Sequence, residues 1–229
     1  MIGIIGAMDV EIESIESVMT DKQECEISGI KFVRGLLEGK DAVCAVCGMG
    51  KVAAAVCAQA MIMKYSPECV INTGVAGSLN PEVSVCDAVI ADSLVQHDLD
   101  TTPLGDELGF IDSIGRVVIP SDKKVSDALE DAAKKAGIKK VLRGRIASGD
   151  QFVASKERKD YIVNNFGADA CEMEGAAVAQ VCFGAGVPFG VLRVMSDAAD
   201  GSADMSYADF KPIAARVAAD TIKGFVKAF

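Results

Sequence analysis

The sequence predicts an α/β fold whose ligand crevice lies at the carboxyl ends of the strands, and three observations carry that reading. Short apolar, β-branched runs alternate with longer segments bearing Ala and Lys, as strands do when helices connect them. Several of those runs show little polar alternation, which is expected where both faces of a sheet are covered. Small and acidic residues gather where the runs stop, and in open α/β sheets that is where ligands bind.

Taken in order, strands are predicted over 1–7, 30–36, 41–47, 68–73, 86–91, 141–147, 168–173 and 188–195. Helices are predicted over 9–19, 51–64, 122–136, 155–165, 174–186 and 207–228. The first strand ends in "GAMDVE", the third in "GMGK" and the fourth in "NTGVAGSL"; later ends read "SGDQFV", "CEMEG" and "RVMSDAAD". The stretch 93–118 has no clear period and is rich in Asp, Gly and Thr, so functional loops are expected there. No repeat, low-complexity tract or linker divides the chain, and one domain spanning 1–229 is expected, with ample apolar residues for one core.

Composition removes several function classes. A formal charge of −10 and a pI near 4.7 speak against nucleic acid and against an anionic membrane surface. The opening run "MIGIIGAM" is too short to span a bilayer and has neither a basic leader nor a small-residue cleavage site, so a cytoplasmic protein is expected. The eight cysteines are expected to be reduced and buried. Cys44 and Cys47 match a C-x-x-C spacing, but on a strand an offset of three sends the side chains to opposite faces. With His97 as its single histidine the chain cannot build a multi-histidine zinc site, and no metal is expected.

The motifs narrow matters further. "GMGK" is not a P-loop, because Ala45 and Val52 stand where the motif needs Gly and Ser or Thr. "GIIGAM" lacks the spacing of a dinucleotide fingerprint. Glu11, within "MDVEIESIE", reads on local pattern as part of a solvated helix face. Asp197 ends an apolar run, "VLRVMSD", and reads equally as a helix N-cap or as a catalytic acid. Glu174 and Arg193 sit on neighbouring elements and are expected to form a charge-assisted pair.

In this order and spacing, "IGIIGAMDVE", "GMGKVAAA", "INTGVAGSL", "SGDQFV", "EMEGAA" and "RVMSDAAD" together resemble the bacterial 5'-methylthioadenosine/S-adenosylhomocysteine nucleosidases of the purine and uridine phosphorylase superfamily, nearly end to end. The resemblance implies a three-layer α/β/α sandwich around a mixed, partly closed sheet, usually a homodimer. It implies hydrolysis of the bond between adenine N9 and ribose C1', with no cofactor. Glu11 would then orient and deprotonate the water, and Asp197, its pKa raised by burial, would protonate adenine N7. Glu174 would hold the ribose 2'-hydroxyl, and Arg193 would keep these groups in register. Met173 and Glu172 would line the sugar pocket, and Phe152 and Val153 would meet the adenine. Val75, Ala76, Gly77 and Ser196 would complete the nucleoside site. Met8, Met49 and Tyr207 would form the pocket for the 5'-thio arm.

Three positions depart from the family pattern. Val75 stands where many relatives have Ser, Tyr207 where Phe is frequent, and Leu104 in a loop that often presents an aromatic side chain from the second subunit. His97 and Asp98 are expected to organise that loop or a dimer contact. A phosphorylase of the same superfamily is disfavoured, because the turn after the first strand carries acids where such enzymes bind phosphate with arginine. An aminodeoxyfutalosine nucleosidase would use the same residues. A non-catalytic nucleoside sensor fits poorly with a full set of carboxylates.

Overall fold

The structure, a computed structural model, describes residues 1–197, 199 and 203–229, with the backbone alone over 203–208. The strands are β1 (Ile2–Gly6), β2 (Thr20–Ile27), β3 (Ile30–Leu37), β4 (Lys40–Val46), β5 (Cys69–Ser78), β6 (Ala88–Gln96), β7 (Ile119–Pro120), β8 (Val141–Ser148), β9 (Ala170–Glu172) and β10 (Phe189–Asp197). The helices are α1 (Asp9–Glu16), α2 (Lys51–Tyr65), α3 (Lys123–Lys135), α4 (Lys156–Phe166), α5 (Gly175–Ala185) and α6 (Ala203–Ala228).

All the strands share one sheet, in the order β10-β6-β8-β9-β5-β1-β4-β3-β2, with β7 paired to β6. Because β10 also pairs with β5, the strands β5, β10, β6, β8 and β9 close into a five-stranded barrel. From β5 the sheet continues through β1 and β4 into an open wing. Pairing is mixed: β1–β5 and β10–β5 are parallel, whereas β10–β6 and β3–β4 are antiparallel.

Helices cover both faces. On one side Ile5, Val70 and Val191 pack with Met61 of α2 and Val178 of α5. On the other, Ile4, Ile71 and Leu192 pack with Ile12 of α1, Leu129 of α3 and Ile222 of α6. Neighbouring strand residues thus feed opposite cores, which explains why β5 and β10 are apolar without alternation. The predicted three-layer arrangement with a partly closed sheet is the one observed. α4 seals one end of the barrel with Ile162 and Phe166. It starts at a Ser155 cap, whose Oγ accepts the Arg158 N–H at 3.2 Å, and ends at Gly167, where φ is +59°. Among the described residues no helix is long and apolar enough to cross a membrane.

Three differences from the predicted elements are informative. β2 was not predicted: "TDKQECEI" is nearly all exposed and pairs only with β3, so it carries no buried face to leave a pattern. β5 runs on to Ser78 and β6 to Gln96, well past their predicted ends at 73 and 91. The β5 continuation, "GVAGS", is mostly small, and the β6 continuation, "DSLVQ", mixes polar residues with Leu94 and Val95; both belong to strands of the closed barrel. Cys44 and Cys47 do fall on opposite faces, one in each core. Burial pushes the Cys44 thiol up to about 12 and the Cys47 thiol higher still.

Candidate active site

The carboxyl ends of β1, β5, β9 and β10 open into a cavity with about 570 Å³ of empty space, part of it open to solvent. Met8 and Glu11 enter from the start of α1, and Met49 from the turn after β4. Val75, Ala76 and Gly77 line it from β5, and Phe152 and Val153 from the loop after β8. Glu172, Met173 and Glu174 come from the junction of β9 with α5, and Ser196 and Asp197 from the end of β10. Every predicted site residue is therefore gathered at one cavity except two. Arg193 lies behind the wall, and the side chain of Tyr207 is outside the described residues. Leu104 is 82% exposed, in a short 3-10 turn over Thr102–Leu104 that does not line the cavity.

Glu11 is not on a solvated face. It is the third residue of α1 and only 3% exposed, because its carboxylate folds back over the helix start. Oε2 accepts the N–H groups of Ala7 at 2.8 Å and Met8 at 3.0 Å, and Oε1 accepts the Val75 N–H at 3.0 Å. Burial raises its pKa above the ordinary carboxylate value, against the lowering pull of Arg193 and the three N–H donors. The neighbouring Gly74 makes room: a Cβ there would run into Glu11 Oε1 and Arg193 Nη1.

Glu172 and Glu174 behave differently although one residue separates them. Glu172 Oε2 takes both Nε (3.1 Å) and Nη2 of Arg193, together with the N–H groups of Glu174 at 3.0 Å and Gly175 at 2.7 Å. Its Oε1 accepts from Ser148 Oγ. Burial opposes its charge, but Arg193 and these donors prevail and hold its pKa below the ordinary value. Arg193 was expected to bond Glu174. Its Nη2 does lie 3.7 Å from Glu174 Oε2, an ion pair, yet its hydrogen bonds go to Glu172 and to Asn72 Oδ1 at 2.6 Å. Glu174 keeps one hydrogen bond, from the Gly50 N–H to Oε1 at 2.9 Å. Burial and the Glu172 charge push its pKa up to about 7.

Asp197 also resolves. α6 begins at Ala203, so Asp197 does not cap it. A register shift between Met195 and Asp197 gives β10 an extra residue opposite β5, which turns both Ser196 and Asp197 to the cavity. Asp197 Oδ2 accepts from Ser196 Oγ and Oδ1 from the Ala199 N–H, both at 2.9 Å. Phe152, at 51% exposure, and Met49, at 67%, form an apolar mouth.

The cavity also holds residues that the sequence did not single out: Ala7, Gln151 and Cys171. Beneath it, Asn72 and Ser148 anchor Arg193 and Glu172. Asn72 did leave a signal, a polar residue inside the apolar run "CVINTG". The arrangement is a largely apolar cavity with four buried carboxylates at its wall, Glu11, Glu172, Glu174 and Asp197, and no Lys or Arg among its described lining residues.

The comparisons agree with this chemistry. The family model described as the phosphorylase superfamily matches residues 1–227. A 5'-methylthioadenosine/S-adenosylhomocysteine nucleosidase of Haemophilus influenzae is 39% identical over 226 residues, 98% of each chain. Among solved structures, the corresponding Neisseria meningitidis nucleosidase in complex with methylthio-immucillin-A superposes with a TM-score of 0.96 at 36% identity, covering 100% of this chain and 99% of that one. A futalosine hydrolase of Helicobacter pylori reaches 0.94 at 38% identity, covering 100% and 97%. The chain belongs to the phosphorylase superfamily, on the branch of its methylthioadenosine/S-adenosylhomocysteine nucleosidases.

Proposed function

We infer that the protein is an N-glycosyl hydrolase that cleaves 5'-methylthioadenosine and S-adenosylhomocysteine, and 5'-deoxyadenosine as well, releasing adenine and the 5'-substituted ribose. The observation that carries this reading is the convergence of Glu11, Glu174 and Asp197 on one apolar cavity in a chain so similar to such nucleosidases.

Each carboxylate has work in that reaction. Adenine is a poor leaving group as an anion, and a proton delivered to N7 by Asp197 lets it depart neutral. The sugar left behind gains positive charge, which the buried glutamates favour more than they favour the neutral substrate. Glu174 accepts the ribose 2'-hydroxyl hydrogen bond, and the Met173 thioether packs on the sugar. Glu11, with its pKa raised, takes the proton of the attacking water; it then releases that proton to solvent and Asp197 regains one, which resets the site for the next turnover. Arg193 and Glu172 support this from behind: their mutual neutralisation keeps the wall rigid. Phe152 stacks on the adenine ring. Water rather than phosphate is the nucleophile, because the cavity lining offers carboxylates where a phosphate would need cations.

The working protein is a cytoplasmic homodimer in this reading. Val52, Val56 and Met63 form an exposed apolar stripe on α2, which starts beside Met49 at the mouth, and a second copy of the chain would cover it. All eight cysteines are unpaired, as suits a reducing compartment.

Adenine release from methylthioadenosine, S-adenosylhomocysteine and aminodeoxyfutalosine, with and without phosphate, tests the assignment. Phosphate-independent release with free methylthioribose is expected; a ribose 1-phosphate product would overturn it. The likeness to the H. pylori futalosine hydrolase keeps the third substrate as a second reading, and a preference for it would make that reading the correct one.

A further inference from the structure

Asp98 has no role in the chemistry above, yet it lies where three segments around the cavity meet. Its Oδ1 accepts from Lys51 Nζ at 2.6 Å, and its Oδ2 accepts the Asp150 N–H at 2.8 Å. Asp150 in turn offers its own Oδ1 to the Lys51 N–H at 2.7 Å, at the first residue of α2. One residue earlier, the Gly50 N–H donates to Glu174 Oε1. The links run without a break from the loop that bears Phe152 and Val153, through the start of α2, to the glutamate at the sugar end.

The start of α2 explains why such a device is built. A helix leaves its first N–H groups without internal partners, and its N-terminal end attracts negative charge. α2 has no side-chain cap of its own, since its N-cap is Gly50, with φ at +98°. Two carboxylates from distant segments, Glu174 and Asp150, take those N–H groups instead. A Cβ at residue 50 would sit 3.0 Å from Asp150 Oδ1, so the close approach needs glycine.

The other end of the device is equally well held. Asp98 and Lys51 have side chains only 16% and 17% exposed, so their ion pair is not a loose surface contact. Lys51 Nζ also donates to Gln96 Oε1 at 3.0 Å, and Gln96 Nε2 to Gln180 Oε1 of α5 at 2.7 Å. The adjoining His97 is 1% exposed, and its ring fills the space where a side chain at Gly149 would stand. Arg158 of α4 fixes that ring by a 2.8 Å contact to Nδ1.

We propose that Asp98 and Lys51 are positioning residues, which hold the Phe152–Val153 loop in register with Glu174 by way of Asp150 and the first turn of α2. The proposal rests on the nucleosidase reading of the cavity. Neither residue touches substrate. Each acts by fixing the distance between the surface that meets the base and the carboxylate that meets the sugar.

Electrostatics supply a readout that a purely structural role would not move. Glu174 faces Glu172 from β9, Arg193 from β10, Glu11 from α1 and the Cys47 thiol after β4, besides the Gly50 N–H. That N–H favours the charged carboxylate. If the start of α2 slackens, Glu174 loses support for its charge and ionises at higher pH.

The experiment measures adenine release from methylthioadenosine against pH for the wild-type protein and four variants. Absence of release by the wild type overturns the nucleosidase reading and the proposal with it. With an active wild type, Asp98→Asn is expected to lower kcat/KM about 10- to 100-fold, the scale of a misplaced reacting group. The acid limb of its profile should move to higher pH. Lys51→Met should do the same, whereas Lys51→Arg, which keeps the ion pair, should recover most of the rate. Asp100→Asn, an exposed acid in the same loop bonded only to Thr102, should leave both rate and limb at wild type. Unshifted limbs and wild-type rates in Asp98→Asn and Lys51→Met would overturn the clamp while leaving the nucleosidase standing. Should Asp98→Asn fail to fold, the two Lys51 variants still decide it.

Discussion

Two arginine–carboxylate pairs sit on the same sheet, each made through the arginine Nε and Nη2, and they differ above all in burial. On the open wing, Arg34 of β3 grips Asp41 of β4 through Nε at 3.1 Å and Nη2 at 2.9 Å, with the two side chains 46% and 39% exposed. Inside the barrel, Arg193 grips Glu172 through the same two nitrogens, with both side chains 2% exposed. The wing pair can dissolve into water without consequence. The barrel pair cannot, because either partner left alone would be a buried, uncompensated charge. Burial therefore gives the two pairs different consequences: one is an ornament of the surface, and the other a fixed charge pair beside Glu174 and Glu11, whose pKa values are raised chiefly by their own burial and pulled back by Arg193.

The largest effect should come from breaking the barrel pair. Arg193→Met is expected to lose about 3–5 kcal/mol of stability in urea unfolding. Arg193→Met combined with Glu172→Leu should recover much of that loss, yet stay inactive, because the charge pair beside Glu174 is gone. A double variant as unstable as the single one would contradict the account.

Next come the two residues proposed for proton transfer. Glu11→Gln and Asp197→Asn should each fold and bind, and each lose about 10²–10⁴-fold in turnover on methylthioadenosine. They separate on a nitrophenyl riboside, whose leaving group needs no proton. There Asp197→Asn should lose far less, while Glu11→Gln should lose as much as before. Equal losses for Asp197→Asn on both substrates would make it a positioning residue.

A smaller effect follows from Glu174. Its charged form is the one that grips the 2'-hydroxyl, so kcat/KM should rise with pH through about 7, and Glu174→Gln should lack that limb. Stability should run the other way. A carboxylate whose folded pKa is raised from 4.5 to about 7 favours the fold while protonated, and this contribution fades as pH climbs through that window. The unliganded wild type should therefore lose some stability between these values, and Glu174→Gln should lose less. The smallest effect is on the wing: Arg34→Ala should leave the unfolding midpoint and adenine release at wild type, as exposed pairs do.

The same contrast explains what the sequence made legible. Strands buried on both faces announce themselves as apolar runs, and the acids at their ends mark the crevice before any coordinates are known. Glu11 shows the limit of local pattern. In "MDVEIESIE" it is one acid among several, and only the Val75 N–H, contributed by β5, reveals that its carboxylate is buried. The role proposed for it comes from the order of motifs along the chain, and not from the helix that carries it. Arg193 was assigned to the correct neighbourhood, but its main partner depends on the closure of the barrel, which brings β9 and β10 together on either side of β5. β2 was silent for the opposite reason: a strand with no buried face has no period to read.

Closure of the barrel has a consequence in time as well as in space. The seam that completes it joins Val70 to Phe189, and Gly77 to Cys171 and Asp197, residues far apart along the chain. Such contacts carry a large loop-closure entropy and form late, after local helices and the β2–β3–β4 meander have little left to gain. Glu11 leaves the ribosome early with the Ala7 and Met8 N–H groups beside it, yet the Val75 N–H reaches it only with β5, and Arg193 only when the last strand docks. A refolding chain should thus recover its helical signal before it recovers any turnover.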